Sequence, residues 1–187
     1  MERADAARNR RKILAAAADL LATRGVDGLA LDEVAAAAGV GVGTVYRRFP
    51  DKGALAQALL DDQEHAFQAA FLHGPAPLGP GAPPAERLVA FAHAYVDRLV
   101  EEVEVLAVAE TATPTARLTS GAYALHRLHV ANLLRELRPK ADVWYFADVV
   151  LAALAAAQFQ HQHQVDGMSV DRIKAGLSAL LTGLIQD

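Results

Sequence analysis

Residues 39–52 read Gly-Val-Gly-Val-Gly-Thr-Val-Tyr-Arg-Arg-Phe-Pro-Asp-Lys, a stretch whose residue types suit the recognition of a polyanion. Val45 and Phe49 are four apart, so on a helix they share one face and turn inward. Gly43 and Arg47, also four apart, point roughly the opposite way. Gly43 permits close approach, Thr44 supplies a hydrogen-bonding group, and Arg47 can bond a guanine edge or a phosphate. Tyr46 and Arg48 flank that face and can reach phosphates. Lys52 stands at the start of the next helix, where free backbone N–H groups also favour an anion. Upstream, Arg8-Asn9-Arg10-Arg11-Lys12 forms a basic arm.

These residues need helices to hold them. A first run, about Arg8–Arg24, carries Ile13, Ala17, Leu20 and Leu21 as a stripe and ends at Gly25, a good helix stop. A short run from Asp32 to Ala38 stops at Gly39, and another from Val42 to Phe49 is closed by Pro50. Gly39-Val40-Gly41 between them is the turn of a helix-turn-helix, with Gly39 in the left-handed conformation and Val40 plugging the core.

Residues 20–59 resemble the TetR family of transcriptional regulators. Gly25, Val34-Ala35, Ala38-Gly39-Val40, Gly43-Thr44-Val45-Tyr46, Phe49 and Lys52 with Leu55 stand at the family's spacing. The resemblance implies an all-α protein: a three-helix helix-turn-helix DNA-binding domain followed by a helical ligand-binding and dimerisation domain, about nine helices in all. It implies a homodimer through the last two helices, with a double-stranded DNA operator and a small-molecule effector as partners; on that basis the expected activity is repression released by the effector. Thr44, Tyr46 and Lys52 match positions that contact DNA, and Val42, Gly43, Arg47 and Arg48 fall on the recognition helix; Arg10 and Arg11 join them from the basic arm. Two positions depart from the pattern. Ala30 stands where Ser or Thr caps the second helix, and Asp32 stands where a basic residue is common.

The expected division is residues 1–52 for DNA binding and 53–187 for the body. The 187-residue chain carries net charge −4, yet residues 1–52 sum to about +2 and the rest to about −6. A basic front on an acidic body fits that division.

In the body, a run from Lys52 to Leu72 precedes a connector, residues 73–84, with five prolines and three glycines. This reads as a boundary or hinge, or else as a surface loop fixed by packing. Beyond it come Ala85–Val103, a separate short helix Val105–Thr111, and Ser120–Leu137. The run Asp142–Val165 is apolar nearly all round, so a second copy of the chain is expected to help cover it. The last run, Ser169–Ile185, puts Ile173, Leu177, Leu180, Leu181 and Leu184 on a stripe beside a face of Ala175, Ser178, Ala179, Thr182 and Gly183.

The aromatic residues Phe67, Phe71, Phe91, Tyr95, Tyr123, Trp144, Phe146 and Phe159 are the handle on an effector pocket. Phe91, Tyr95, Tyr123, His126 and Trp144 are its expected lining, since most of them combine an apolar body with a polar tip. No metal or other cofactor is expected. His161 and His163 diverge by about 200° on a helix, and His126 with His129 lacks a third ligand at a clear spacing. The Gln-His run 158–164 suits a dimer interface or a pocket mouth.

Catalytic classes find little support. Cysteine is absent, which removes thiol nucleophiles and cysteine-held metals. There is no Gly-x-Ser-x-Gly and no phosphate-cradling loop, so an enzyme is not expected. No signal-type apolar core and no membrane-length apolar run stand out, and a cytoplasmic protein is expected. The competing reading is a helical homodimer that binds a metabolite or metal as an enzyme or carrier and has lost DNA binding; Ala30 and Asp32 are what favours it.

Overall fold

The computed structural model describes residues 2–186, with side chains from residue 6 onward. Every regular element among them is helical. Helix α1 spans Glu2–Arg24 and passes through a 3₁₀ turn, Gly25–Leu29, into α2 (Leu31–Ala38), α3 (Val42–Arg48), α4 (Lys52–Leu59) and α5 (Asp61–His73). Then come α6 (Pro84–Thr111), α7 (Gly121–Leu137), α8 (Val143–Ala152), α9 (Ala156–Gln160), a π turn (His161–Val165) and α10 (Val170–Ile185).

The chain divides into two units. The first runs to Asp62 and also takes in Glu104–Arg117; the second holds Gln63–Val103 and the chain from Leu118 on. Helix α6 therefore gives its longer part to the second unit and its end to the first.

In the first unit, Ile13, Ala17, Leu29, Leu31, Val34, Ala35, Val45, Phe49 and Leu55 form one buried cluster. Gly25 and Gly39 both take φ of +64°, the left-handed geometry that ends α1 and α2 as the sequence suggests. Asp51 caps α4 by accepting from the Ala54 N–H at 2.7 Å. Two features of α4 stand out, one of them against expectation. The run expected from Lys52 to Leu72 is broken at Leu60, whose N–H is shared between the carbonyls of Ala56 and Gln57, 3.2 Å from each. Such sharing tightens a last turn and ends it. The other is a close approach: a Cβ on Gly53 would stand 2.1 Å from the Ala112 Cβ, so the end of α6 seats against the bare start of α4.

In the second unit the sequence reading needs two corrections, and of its two readings of the connector the loop is the one that holds. The proline-rich connector is no boundary, because the residues on both sides of it belong to this unit. It is a packed loop in which Gly79 lies so close to Gly74 that a Cβ would fall 1.9 Å from the Gly74 carbonyl oxygen. The expected break near Glu104 is absent, and α6 is continuous for 28 residues. Its glutamates suit a helix, Glu102 accepting from Arg98 one turn away at 2.8 Å. The apolar run Asp142–Val165 is instead split by the extended backbone of Ala155. The split lets Leu154, Ala156 and Phe159 all bury, which a straight helix apolar all round cannot achieve alone.

On α10 the buried stripe is Ile173, Leu177 and Leu181, while Leu180 is 46% exposed and Leu184 partly so. No single helix among the described residues is long and apolar enough to cross a membrane; the bent pair α8 and α9 with its π turn passes only by length and composition.

Candidate DNA-reading surface and buried polar cluster

Helices α2 and α3 meet across Gly39-Val40-Gly41. Val45 is fully buried and Phe49 nearly so, and this anchors α3 by one face. The opposite face stands free. Val42 and Tyr46 are exposed, Tyr46 at 47%. A Cβ on Gly43 would meet nothing within 4 Å. Arg47 is exposed and its Nη2 donates to the Thr44 hydroxyl at 3.3 Å, which aligns the guanidinium along α3. Val42, Gly43, Thr44, Tyr46 and Arg47 therefore share one helix and largely one surface.

The remaining basic residues are placed differently. Arg48 donates to the Ala6 carbonyl at 2.8 Å, tying α3 to the start of α1. Arg10 is paired with Asp61 at 3.0 Å, while Arg11 and Lys12 are exposed. Lys52 is half-buried at the first residue of α4. Ala30 caps α2 with its backbone alone, with no side-chain hydrogen bond. Asp32 and Glu33 occupy the first turn of α2, and Glu33 accepts from Arg24 at 2.8 Å.

The residues expected to line an effector pocket separate into two groups. Phe91, Tyr95 and His126 come together with Phe67 and Phe71, ring centroids 5.3–6.2 Å apart. Tyr123 and Trp144 lie elsewhere on α7 and α8. The Tyr123 hydroxyl donates to Asp148 at 2.9 Å. Arg127 donates to both Asp148 oxygens at 2.6 and 2.8 Å and lies 4.7 Å from the Trp144 ring centre. The hydrogen bond from Arg127 holds the Asp148 carboxyl below its ordinary value; burial opposes it, and the hydrogen bond from Tyr123 adds to the lowering.

Beside the first group sits a charged cluster that no sequence pattern announces. Glu64 is 6% and Arg98 8% exposed, and their side chains are ion-paired. Gln68 donates to Glu64 at 2.6 Å. His126 Nε2 lies 2.9 Å from Glu64 Oε1. Burial alone pushes the Glu64 carboxyl up, but His126, Arg98 and Gln68 together lower it to about 2.

His129 is a second buried ring, 4.5 Å from Phe71 and 5.3 Å from Phe91. Burial, then the charge of Arg87 and of His126, lowers its pKa to about 4. The sequence pairs His126 with His129 by spacing alone; in the fold one faces Glu64 and the other stacks on Phe71. The Gln-His run contributes Gln158 and Gln162 to a groove of about 680 Å³ with Arg172 and Gly176, while His163 bonds the Met168 carbonyl at 2.8 Å.

Comparison with known proteins places this geometry. Residues 13–59 match the family described as bacterial regulatory proteins, tetR family. No curated protein matches the chain. A transcriptional regulator from Rhodococcus sp. Rha1 superposes with a TM-score of 0.66 at 21% identity, over 94% of each chain. A TetR-family transcriptional regulator from Pectobacterium atrosepticum gives 0.65 at 21% identity, over 97% of this chain and 94% of that one. A TetR-like transcriptional regulator from Rhodococcus sp. RHA1 gives 0.60 at 21%, over 96% and 97%. Residues 13–59 thus match the tetR-family model, with the helix-turn-helix in that stretch, and the chain shares its fold along nearly its whole length with solved regulators of that kind.

Proposed function

We propose that the chain is a ligand-responsive, DNA-binding transcriptional repressor that grips a near-palindromic operator as a homodimer and is released by a small effector. The observation that carries this reading is the free face of α3. Val42, Gly43, Tyr46 and Arg47 project from a helix fastened to its domain by Val45 and Phe49. In this reading residues 1–52 read DNA and residues 53–187 bind the effector and the second copy.

Arg47, aligned by Thr44, reads a base edge, and Tyr46, Thr44 and Lys52 hold phosphates. Arg11 adds charge from α1. Arg48 and Arg10 reach DNA only at the expense of their bonds to Ala6 and Asp61. Dimerisation through α8–α10 has support in the surface there: Tyr145 at 62%, Val149 and Leu180 are exposed large apolar side chains, and Ala175, Gly176, Ala179 and Gly183 leave α10 bare for close approach.

Effector binding acts through its differential affinity for two arrangements of the body. Helix α6 is the natural carrier, since its own end contacts α4 at Gly53 and Ala112.

Two substitutions test the reading, with binding measured on operator and on unrelated DNA at several salt concentrations. Arg47→Ala should cost about 1–3 kcal/mol on the preferred site and relax its sequence preference. Lys52→Ala should weaken all DNA about equally and reduce the salt slope by about 1. Unchanged affinity in both variants overturns the assignment. Failure of the folded wild-type protein to bind heparin or random DNA at low salt favours the competing reading of a carrier or enzyme.

A further inference from the structure

The corner where α5 ends, α6 begins and α7 passes holds more positive character than its surroundings use. Arg87 lies in the first turn of α6, a 28-residue helix, so the helix's own N-terminal potential has the same sign as the guanidinium. Its Nη2 donates to the Phe71 carbonyl at 3.2 Å. Its Nε is buried with no hydrogen-bond partner among the described residues, and no carboxylate pairs with Arg87 there.

His129 faces the same Phe71. It is 7% exposed, and its Nε2 is likewise buried and unpartnered among the described residues. Buried polar atoms without partners are costly and uncommon in folded proteins. Two of them beside one aromatic pair, with a cation unmatched by any carboxylate, ask for a ligand that brings hydrogen-bond acceptors and negative charge. The flat rings of Phe71, Phe91 and His129 favour a planar apolar body attached to those acceptors.

We propose that Arg87 and His129 are the anchor of an effector site for a small aromatic carboxylate. One carboxylate oxygen accepts from Arg87 Nε–H and the other from His129 in its Nε2–H tautomer, while the ligand's ring extends the Phe71–His129 stack. Neutral His129 serves as a donor without adding a second fixed charge, and Arg87 matches the ligand's charge. The packed loop between α5 and α6 borders this corner in sequence on both sides, ending four residues before Arg87 and starting three after Phe71, and is the segment the ligand displaces on entry. This inference names the ligand class for the ligand-responsive reading and rests on it.

The test uses the full-length protein with benzoate as probe, benzyl alcohol as a ring without charge and acetate as a charge without ring. Calorimetry and thermal shift should show benzoate binding far more tightly than either control. Arg87→Lys keeps the charge but removes the Nε donor, and His129→Phe keeps the ring but removes the nitrogen. Each should weaken benzoate about 10- to 100-fold, and the His129 imidazole nitrogen resonances should shift when benzoate binds to wild type. Equal benzoate affinity in wild type and both folded variants overturns the proposal, as does no benzoate binding to wild type. DNA retention is measured in parallel. Wild type that binds DNA but not benzoate fails this inference alone; benzoate binding at Arg87 and His129 without DNA binding fails the repressor reading instead.

Discussion

His129 should impose an acid limit on stability that a single substitution removes. An unfolded histidine titrates at about 6.5, whereas the folded His129 is held to about 4. Between these values the unfolded chain binds a proton that the folded chain refuses, so stability falls as pH drops through this window and the contribution is intact above it. From those two pKa values, lowering the pH from 7 to 5 should cost about 2 kcal/mol through this residue alone. Glu64 does not confuse the comparison, because its folded value of about 2 and ordinary value of 4.5 confine its effect to more acid solution. His129→Phe keeps a ring against Phe71 and Phe91 and removes both the titration and a buried unpartnered nitrogen. Urea unfolding of ligand-free wild type and variant at pH 7 and pH 5, at one protein concentration, supplies the four stabilities. The variant should lose about 2 kcal/mol less than wild type between the two pH values. An equal loss in both proteins would show that His129 titrates normally, and the argument from its burial would fail.

Two further substitutions test the domain that carries α3. Ala30→Ser offers an oxygen to the N–H groups of Asp32 and Glu33 at a backbone already in cap geometry, φ −63° and ψ 126°. It should raise stability by about 1 kcal/mol, or about 2–4 °C in melting temperature, and calorimetric melting checks it; no gain would mean the start of α2 is satisfied in another way. Gly53→Ala forces a methyl to within 2.1 Å of the Ala112 Cβ, so urea unfolding should show a loss of about 1–3 kcal/mol. A neutral result would mean that the end of α6 is not seated on α4.

The sequence makes the helix-turn-helix legible because its constraints are local. Gly39 marks a left-handed turn, and the four-residue spacing of Val45 and Phe49 separates the buried face of α3 from its exposed face. The Ser120, Asp142 and Ser169 caps are legible for the same reason, each accepting an N–H three residues on. What the sequence hides depends on partners far along the chain. Nothing in the spacing of Glu64, Arg98 and His126 shows that three helices bring them into one buried cluster. Arg87 carries no signal in the sequence and His129 reads only as half of a metal pair, until the fold brings both to Phe71. The break at Ala155 is hidden too, since an alanine-rich apolar run favours unbroken helix and only the burial of Leu154, Ala156 and Phe159 argues against it.

The account stands most directly on what the protein selects from a random pool of double-stranded DNA at moderate salt. A dimer whose two α3 helices enter successive major grooves should enrich a near-palindrome with half-sites roughly 34–36 Å apart, or slightly more. A single asymmetric half-site would contradict the dimer while leaving α3 as a reader. No enrichment by folded, dimeric protein would contradict the reading of Val42, Gly43, Thr44, Tyr46 and Arg47 as a DNA-recognition surface.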